Sequence, residues 1–322
     1  MATPTAVVGT HRKPVAGRLR GGDEVAWALT LLFAVIILAV TLLLVFELWI
    51  NSAPSRHKFG FGFLTSALWN PVTDEFGALP YIYGTALTSF LALLISVPLG
   101  VGAAIFLSEL APPKIPSSLT FLVELLAAVP SVILGLIAIF TLVPLVRSYI
   151  GPALKDVLGW TPLFTGPVFG IGYLTAGLIL AIMTFPFIIS VSREALLSVP
   201  REQREAALAL GATRWESTWQ IVVPFARLGI FGSIFLALAR ALGETMAVTM
   251  VIGNSPTIRA SLLSPGYTIA SVVANEFTEA TGKTYLSALV ELGLVLFVLT
   301  MAINAVAQLL ILVTTKKGSR KS

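Results

Sequence analysis

The 322-residue chain is 56 % apolar and only 11 % charged, where an average soluble domain carries about a quarter charged residues. That shortage excludes a single soluble core, and it excludes disorder, which needs the opposite composition. The absence of cysteine removes disulfides, thiolate metal sites and cysteine nucleophiles, and the formal net charge of +5 bears on topology rather than on nucleic acid.

In chain order, residues 1–25 form a basic tail with Arg12, Lys13, Arg18 and Arg20, expected to be disordered. Six apolar runs of membrane-crossing length follow. Ala26–Ile50, whose only charge is Glu47, reads as an uncleaved signal anchor, because it is too long for a signal-peptide core and no small-residue cleavage site follows. In the next connection, residues 51–84, Phe59, Phe61, Phe63 and Trp69 lie close after Trp49, the pattern of an interfacial aromatic belt. Thr85–Leu107 is uncharged, Leu119–Val146 carries only Glu124, and Phe169–Val191 is uncharged. Pro98, Pro130 and Pro186 interrupt these three spans and predict kinks, with Ser131 just past one of them. Leu228–Ile252 contains Arg240 and Glu244, and Ser287–Val313 contains Glu291 before a second basic tail, residues 314–322. Glu124 and Glu291, near span ends, read as snorkelling or capping groups.

The connections alternate in basic charge. Arg12, Lys13, Arg18, Arg20, Lys114, Arg193, Arg201, Arg204, Arg214, Arg227, Lys316, Lys317, Arg320 and Lys321 fall on one side. Arg56, Lys58, Arg147, Lys155, Arg259 and Lys283 fall on the other. The richer side is cytoplasmic by the positive-inside rule, so both termini are expected inside the cell.

Enzymatic chemistry finds no footing. Both histidines, His11 and His57, lie outside the spans, and no Ser/His, Asp/Asp or metal-ligand set occurs within them. Thr281-Gly282-Lys283-Thr284 lacks the glycine of a phosphate-binding loop, since Phe277 stands five residues before Gly282. The chain therefore reads as a non-catalytic protein with no metal and no cofactor.

The connection 193–227 is the most organised polar stretch. Arg201–Leu210 has high helix propensity, Pro200 stands at its start and Gly211 where a left-handed cap is wanted. Thr213 and Glu216 form a capping-box pattern that opens a second helix. The first helix is expected to expose Ala206 and Ala207, whose small side chains would let a groove on a partner approach the backbone.

In the fifth span Arg240 and Glu244 are spaced i, i+4, which predicts one face of one helix, with Gly243 between them permitting a close approach. Neither charge belongs against lipid, where each costs about 2.5–3.5 kcal/mol on insertion scales. A guanidinium supplies a fork of donors that suits phosphate oxygens, and Glu244 would orient and partly neutralise it.

The loop reads Glu205-Ala206-Ala207, three residues, Gly211, nine residues, Ile221, then Val223-Pro224. In this spacing it resembles the loop by which permeases of ATP-binding-cassette importers hold their ATPase. Leu79–Gly100 (LPYIYGTALTSFLALLISVPLG), Glu124–Ser131 (ELLAAVPS), Gly166–Gly172 (GPVFGIG), Arg240–Val248 (RALGETMAV), Ile252-Gly253-Asn254 and Asn275–Ala280 (NEFTEA) are similar to the phosphate-specific permeases of that family. The likeness runs over about residues 26–313. The segments Met246-Ala247-Val248-Thr249 and Ile252-Gly253-Asn254 separate the chain from the sister, PstA-like permeases.

The resemblance implies an all-α polytopic membrane protein of six transmembrane helices with the type I importer (MetI-like) fold, occupying 26–313 and carrying a coupling segment at 193–227. It implies a bacterial inner-membrane permease forming half of a phosphate pathway. The ATPase contact would be Glu205, Ala206, Ala207, Gly211 and Pro224, and the substrate path Arg240, Gly243 and Glu244. Implied partners are a PstA-like permease as heterodimer, a PstB-like ATPase dimer, a PstS-like phosphate-binding protein received near Asn275–Ala280 and residues 51–80, and a PhoU-like regulator. Two rivals share the residues: a permease for molybdate or sulfate, and an ion-coupled carrier using Arg240 and Glu244 as a proton relay.

Overall fold

The computed structural model describes residues 22–112 and 115–319. Six of its helices are long and apolar enough to cross a membrane. The chain divides into two units, one ending at Ile50 and one running from Asn51. In the first, helix α1 (Gly22–Asn51) is a single rod of 30 residues. At 1.5 Å per residue it is about 45 Å long, more than the hydrocarbon thickness. It begins four residues before the expected span, so the end of the basic tail is helical, while residues 1–21 lie outside the described residues.

The second unit is capped at one end by short elements: α2 (Ala53–Phe59), α3 (Gly62–Thr65) and a hairpin of β1 (Trp69–Asn70) with β2 (Glu75–Phe76), paired Trp69 to Phe76 and Asn70 to Glu75. Then α4 (Leu79–Ile105) runs the length of the unit and closes in a π-turn, Phe106–Leu110.

The third span departs from expectation. A helix across Leu119–Val146 does not form; α5 (Ile115–Ala128) stops, and α6 (Ser131–Ile137) starts afresh. The cause is Pro130, which sits at φ −57° and ψ 139° and has no N–H to continue a ladder. The crossing run is instead Ser131–Leu158. It passes from α6 through π-turns at Ala138–Leu142 and Val146–Ile150 into α7 (Val143–Leu145) and α8 (Gly151–Leu158), taking up half of the expected outer connection.

Helix α9 (Tyr173–Leu197) is the centre, with 67 % of its crossing window buried. It lies parallel to α4, and two glycines set the approach. A Cβ on Gly100 would stand 2.7 Å from Ile188, and one on Gly177 would stand 2.8 Å from Leu91. Close backbone packing is how membrane helices gain dispersion contacts where the hydrophobic effect is absent.

After α9 come α10 (Arg201–Ala209) and α11 (Arg214–Ser217). Helix α11 runs through a π-turn, Thr218–Val222, directly into α12 (Val223–Gly243), so one helical run extends over Arg214–Gly243. The buried Ser192 and Ser233 hydroxyls, 2.7 Å apart, tie α12 to α9.

The expected fifth span, Leu228–Ile252, is also corrected. The helix ends at Gly243; Glu244 is extended (φ −69°, ψ 127°), and a separate short helix α13 (Met246–Val251) follows. Helix α13 packs on α6, where a Cβ on Gly135 would be 3.0 Å from Ala247 Cα. Helix α14 (Ile269–Glu276) returns to the capped end, and α15 (Lys283–Ser319) is the last crossing helix.

Candidate functional site

Two places were singled out from the sequence, and the structure keeps them apart as the two ends of the Arg214–Gly243 run.

At the loop end the local signals produce the local structure they predict. Pro200 precedes α10 with φ −55° and ψ 140°. Gly211 adopts φ +89°, beyond the reach of most L-residues. The Gly211 amide donates to Leu208 O at 3.0 Å and the Ala212 amide to Ala207 O at 3.1 Å, a Schellman closure of α10. The Thr213 amide donates to Glu216 Oε2 at 2.8 Å, and the Glu216 amide donates back to Thr213 Oγ1 at 3.2 Å. Pro224 stands two residues past the π-turn, inside the continuous run, where it has no N–H to give the turn before it.

One expectation fails here. Ala206 is exposed, but Ala207 is buried, because α10 packs its inner side on the Thr218–Val222 turn. The exposed surface of the loop is Glu205, Ala206, Leu208 and Leu210, extended by Trp215 and Trp219, whose rings meet edge to face at 5.6 Å. Helical periodicity would have sorted Ala206 from Ala207 only if the packing partner had been known.

At the far end of the run the pairing expected from i, i+4 spacing is absent. Because the helix stops at Gly243, Glu244 leaves the face that carries Arg240. Arg240 makes no ion pair among the described residues; its guanidinium lies over the Phe187 ring, 4.5 Å from the centroid, and its Nε is buried without a hydrogen-bond partner. Phe187 follows Pro186 in α9, and nothing in sequence spacing connects it to Arg240. Glu244 is half-buried and turns to the start of α13, accepting from the Ala247 amide at 3.4 Å. Gly243 is exposed, and a Cβ there would meet nothing within 4 Å, so the close approach expected of it is not made within this chain. What remains is a cation with unused donors, held by a weak face contact at the tip of a rigid helix. Such a group can take an oxyanion without first breaking a salt bridge.

Sequence reading missed the pair formed by Arg204 and Glu109. Arg204 Nη2 donates to Glu109 Oε1 at 2.9 Å and Nε to Oε2 at 3.1 Å. The two residues are 95 positions apart, so no spacing rule connects them.

The aromatic residues of the first connection are also corrected. Phe63 is fully buried, Trp69 lies 4.8 Å from Tyr81, and Phe76 stacks on Tyr285 at 5.2 Å. They form the packed core of the capped end rather than a belt, and of the group only Phe61 in this unit stands out into solvent, 91 % exposed. Glu276 anchors that core, accepting from Trp69 Nε1 at 2.8 Å and from the Tyr285 hydroxyl at 2.7 Å. Nearby, burial pushes the Tyr267 phenol above its ordinary range, while Asn275 Nδ2 donates to its oxygen at 3.0 Å. Glu291 does not snorkel: it is 5 % exposed on α15, which α2 covers, with the Ser55 amide donating to Ser287 Oγ at 3.0 Å.

Residues 96–313 match the family described as binding-protein-dependent transport system inner membrane component. A phosphate transport system permease protein PstC of Mesorhizobium japonicum is 45 % identical over 309 residues, covering 95 % of this chain and 94 % of that one. Its counterpart in Pasteurella multocida is 46 % identical over 296 residues, covering 91 % and 92 %. Among solved structures, a bacterial ABC transporter involved in alginate import aligns with TM-score 0.57 and 19 % identity over 86 % of this chain and 95 % of that one. An inward-facing MetNI methionine ABC transporter aligns with TM-score 0.52 and 18 % identity over 75 % and 98 %. Those two likenesses concern the fold.

Proposed function

We propose a mechanism from the premise that this chain belongs to the family of binding-protein-dependent transport system inner membrane components, as a permease subunit of a phosphate ABC transporter. It is a multi-pass membrane protein that works with an ATPase and a substrate-binding protein.

In our reading the protein sits in the bacterial inner membrane with both termini cytoplasmic, pairs with a PstA-like permease, and makes up half of the pathway. Glu205, Ala206, Leu208 and Leu210 enter a groove on a PstB-like ATPase dimer, while Ala207 serves as their packing base and Gly211 sets the turn. Phosphate arrives from a PstS-like protein at the capped end, and a PhoU-like regulator is a further partner. The observation that carries the reading is the continuous helical run Arg214–Gly243, which begins just past the Gly211 turn and carries Arg240 near its far end. Pro224 and Arg240 are 16 residues apart, so the guanidinium rides about 24 Å along α12 from the loop end. A stroke that tilts α11 therefore displaces Arg240 by a comparable angle. Movement between two packings of the bundle would present its free donors first to one side and then to the other, which is alternating access. Phe187 offers a resting place worth about 0.5–2 kcal/mol at this half-buried site, weak enough to be exchanged for phosphate. Glu244, at the start of α13, limits how tightly the anion is held.

The proton-relay rival loses its geometric basis, because Arg240 and Glu244 do not pair.

Uptake of labelled phosphate by cells carrying Arg240→Gln tests the assignment. Uptake should fall at least tenfold, the loss of about 1.4 kcal/mol or more expected when a charged donor to an anion is removed, while the partner subunits still co-purify. Near-normal uptake would take Arg240 out of the pathway.

A further inference from the structure

We propose that Arg204 and Glu109 form the joint that carries movement of the loop into α4 and α9 as well as into α12. The proposal rests on the reading of Glu205–Gly211 as the ATPase contact.

The guanidinium of Arg204 is shared among three elements. Its residue belongs to α10, one position before Glu205 in the chain. Through Nε and Nη2 it grips both carboxylate oxygens of Glu109, which lies in the π-turn that closes α4. Through Nη2 it also reaches Leu196 O at 2.7 Å, and Nη1 donates to Val199 O, so it satisfies carbonyls left over where α9 ends. The two side chains are only 19 % and 9 % exposed, so screening by solvent is slight. A two-pronged guanidinium–carboxylate contact fixes direction as well as distance, which an ammonium cannot do.

The covalent connections of α10 are poor transmitters by comparison. It is joined to α9 through Ser198–Pro200 and to α11 through Leu210–Thr213, and both links are non-helical. A push on α10 could be absorbed by rotation at those residues. The clasp removes that freedom: α10 cannot turn without dragging the ends of α4 and α9. These are the helices that face each other along Gly100 and Gly177, with α9 also presenting Phe187 to Arg240. The loop then moves both the cation and the ring it rests on.

The test uses the assembled transporter in liposomes, with ATPase and binding protein present. It reads two quantities: the ATPase retained on the chain, and phosphate imported per ATP hydrolysed. In Glu109→Gln and Arg204→Gln the ATPase should stay bound and active while phosphate per ATP falls about tenfold, within the usual span of inter-site coupling. Arg204→Lys should recover only part of the loss, because its single ammonium cannot reproduce the fork. If Arg204→Gln fails to insert, Glu109→Gln and Arg204→Lys carry the test. A normal ratio in the assembled variants overturns the joint. So does release of the ATPase by Glu109→Gln, which would make the pair part of the docking surface instead. Gly211→Asp separates the two readings: if it leaves ATPase retention and uptake unchanged, the docking assignment fails rather than the joint.

Discussion

At the scale of single residues, Arg240 rests on a ring face rather than on a carboxylate, its guanidinium 4.5 Å from the Phe187 centroid. Arg240 was legible because a guanidinium in an apolar run is too costly to leave against lipid. Its contacts were not legible. Spacing gave Glu244 as the partner, but spacing assumes a continuous helix, and the glycine before Glu244 ends it. Phe187, the residue that does meet the guanidinium, lies 53 positions away and leaves no local mark. Arg204 was counted only as one of many basic residues, and Glu109 drew no attention at all. Glu276 was read only as part of the Asn275–Ala280 segment, though it accepts from Trp69, 207 positions away, and from Tyr285, nine positions away. In Glu276→Leu the Trp69 and Tyr285 donors lose their acceptor, at a cost of about 1–3 kcal/mol for each group left buried and unpaired. The thermal unfolding midpoint of the purified complex, followed by tryptophan fluorescence, should drop by several degrees. An unchanged midpoint would mean that the capped end is not held by this acceptor.

At the scale of elements, what was written locally was read correctly. Pro200, Gly211 and the Thr213–Glu216 box each act within a few residues of themselves, and each appears in the structure where the pattern places it. Hydropathy was a poorer guide, because a window of apolar residues continues undisturbed across Pro130 and across Glu244-Thr245, where the backbone does not. The aromatic residues after Trp49 were misread for a similar reason. Composition cannot tell a ring in an interface from a ring in a small core, and the core requires Tyr81, Tyr267 and Tyr285 from three other places in the chain. The turn at Gly211 yields a test of its own element. With φ at +89°, Gly211→Asp should cost about 1–2 kcal/mol of loop stability and displace the exposed Leu208 and Leu210. Less ATPase should co-purify with the variant, although the protein still inserts. Full retention together with full uptake would show that the loop's shape does not matter to its partner.

At the scale of the whole molecule, family and fold were legible because they depend on order and repetition: apolar runs, alternating basic connections, and one spaced loop. The cargo is a finer matter. Donors arranged to suit a tetrahedral oxyanion do not by themselves exclude other anions of that shape. We expect phosphate uptake by the assembled transporter to persist in about tenfold excess molybdate or sulfate, since discrimination of tenfold needs only about 1.4 kcal/mol. Suppression by either competitor would move the assignment to that anion. One further consequence follows from the two unwound residues between α12 and α13. Glu244 and Thr245 stand outside both helices, and in the proposed mechanism they would serve as a universal joint at the end of a drive shaft. The shaft can swivel while the α13–α6 wall beyond it stays still, so a stroke at one face of the bilayer can re-aim the cation without unsealing the opposite face.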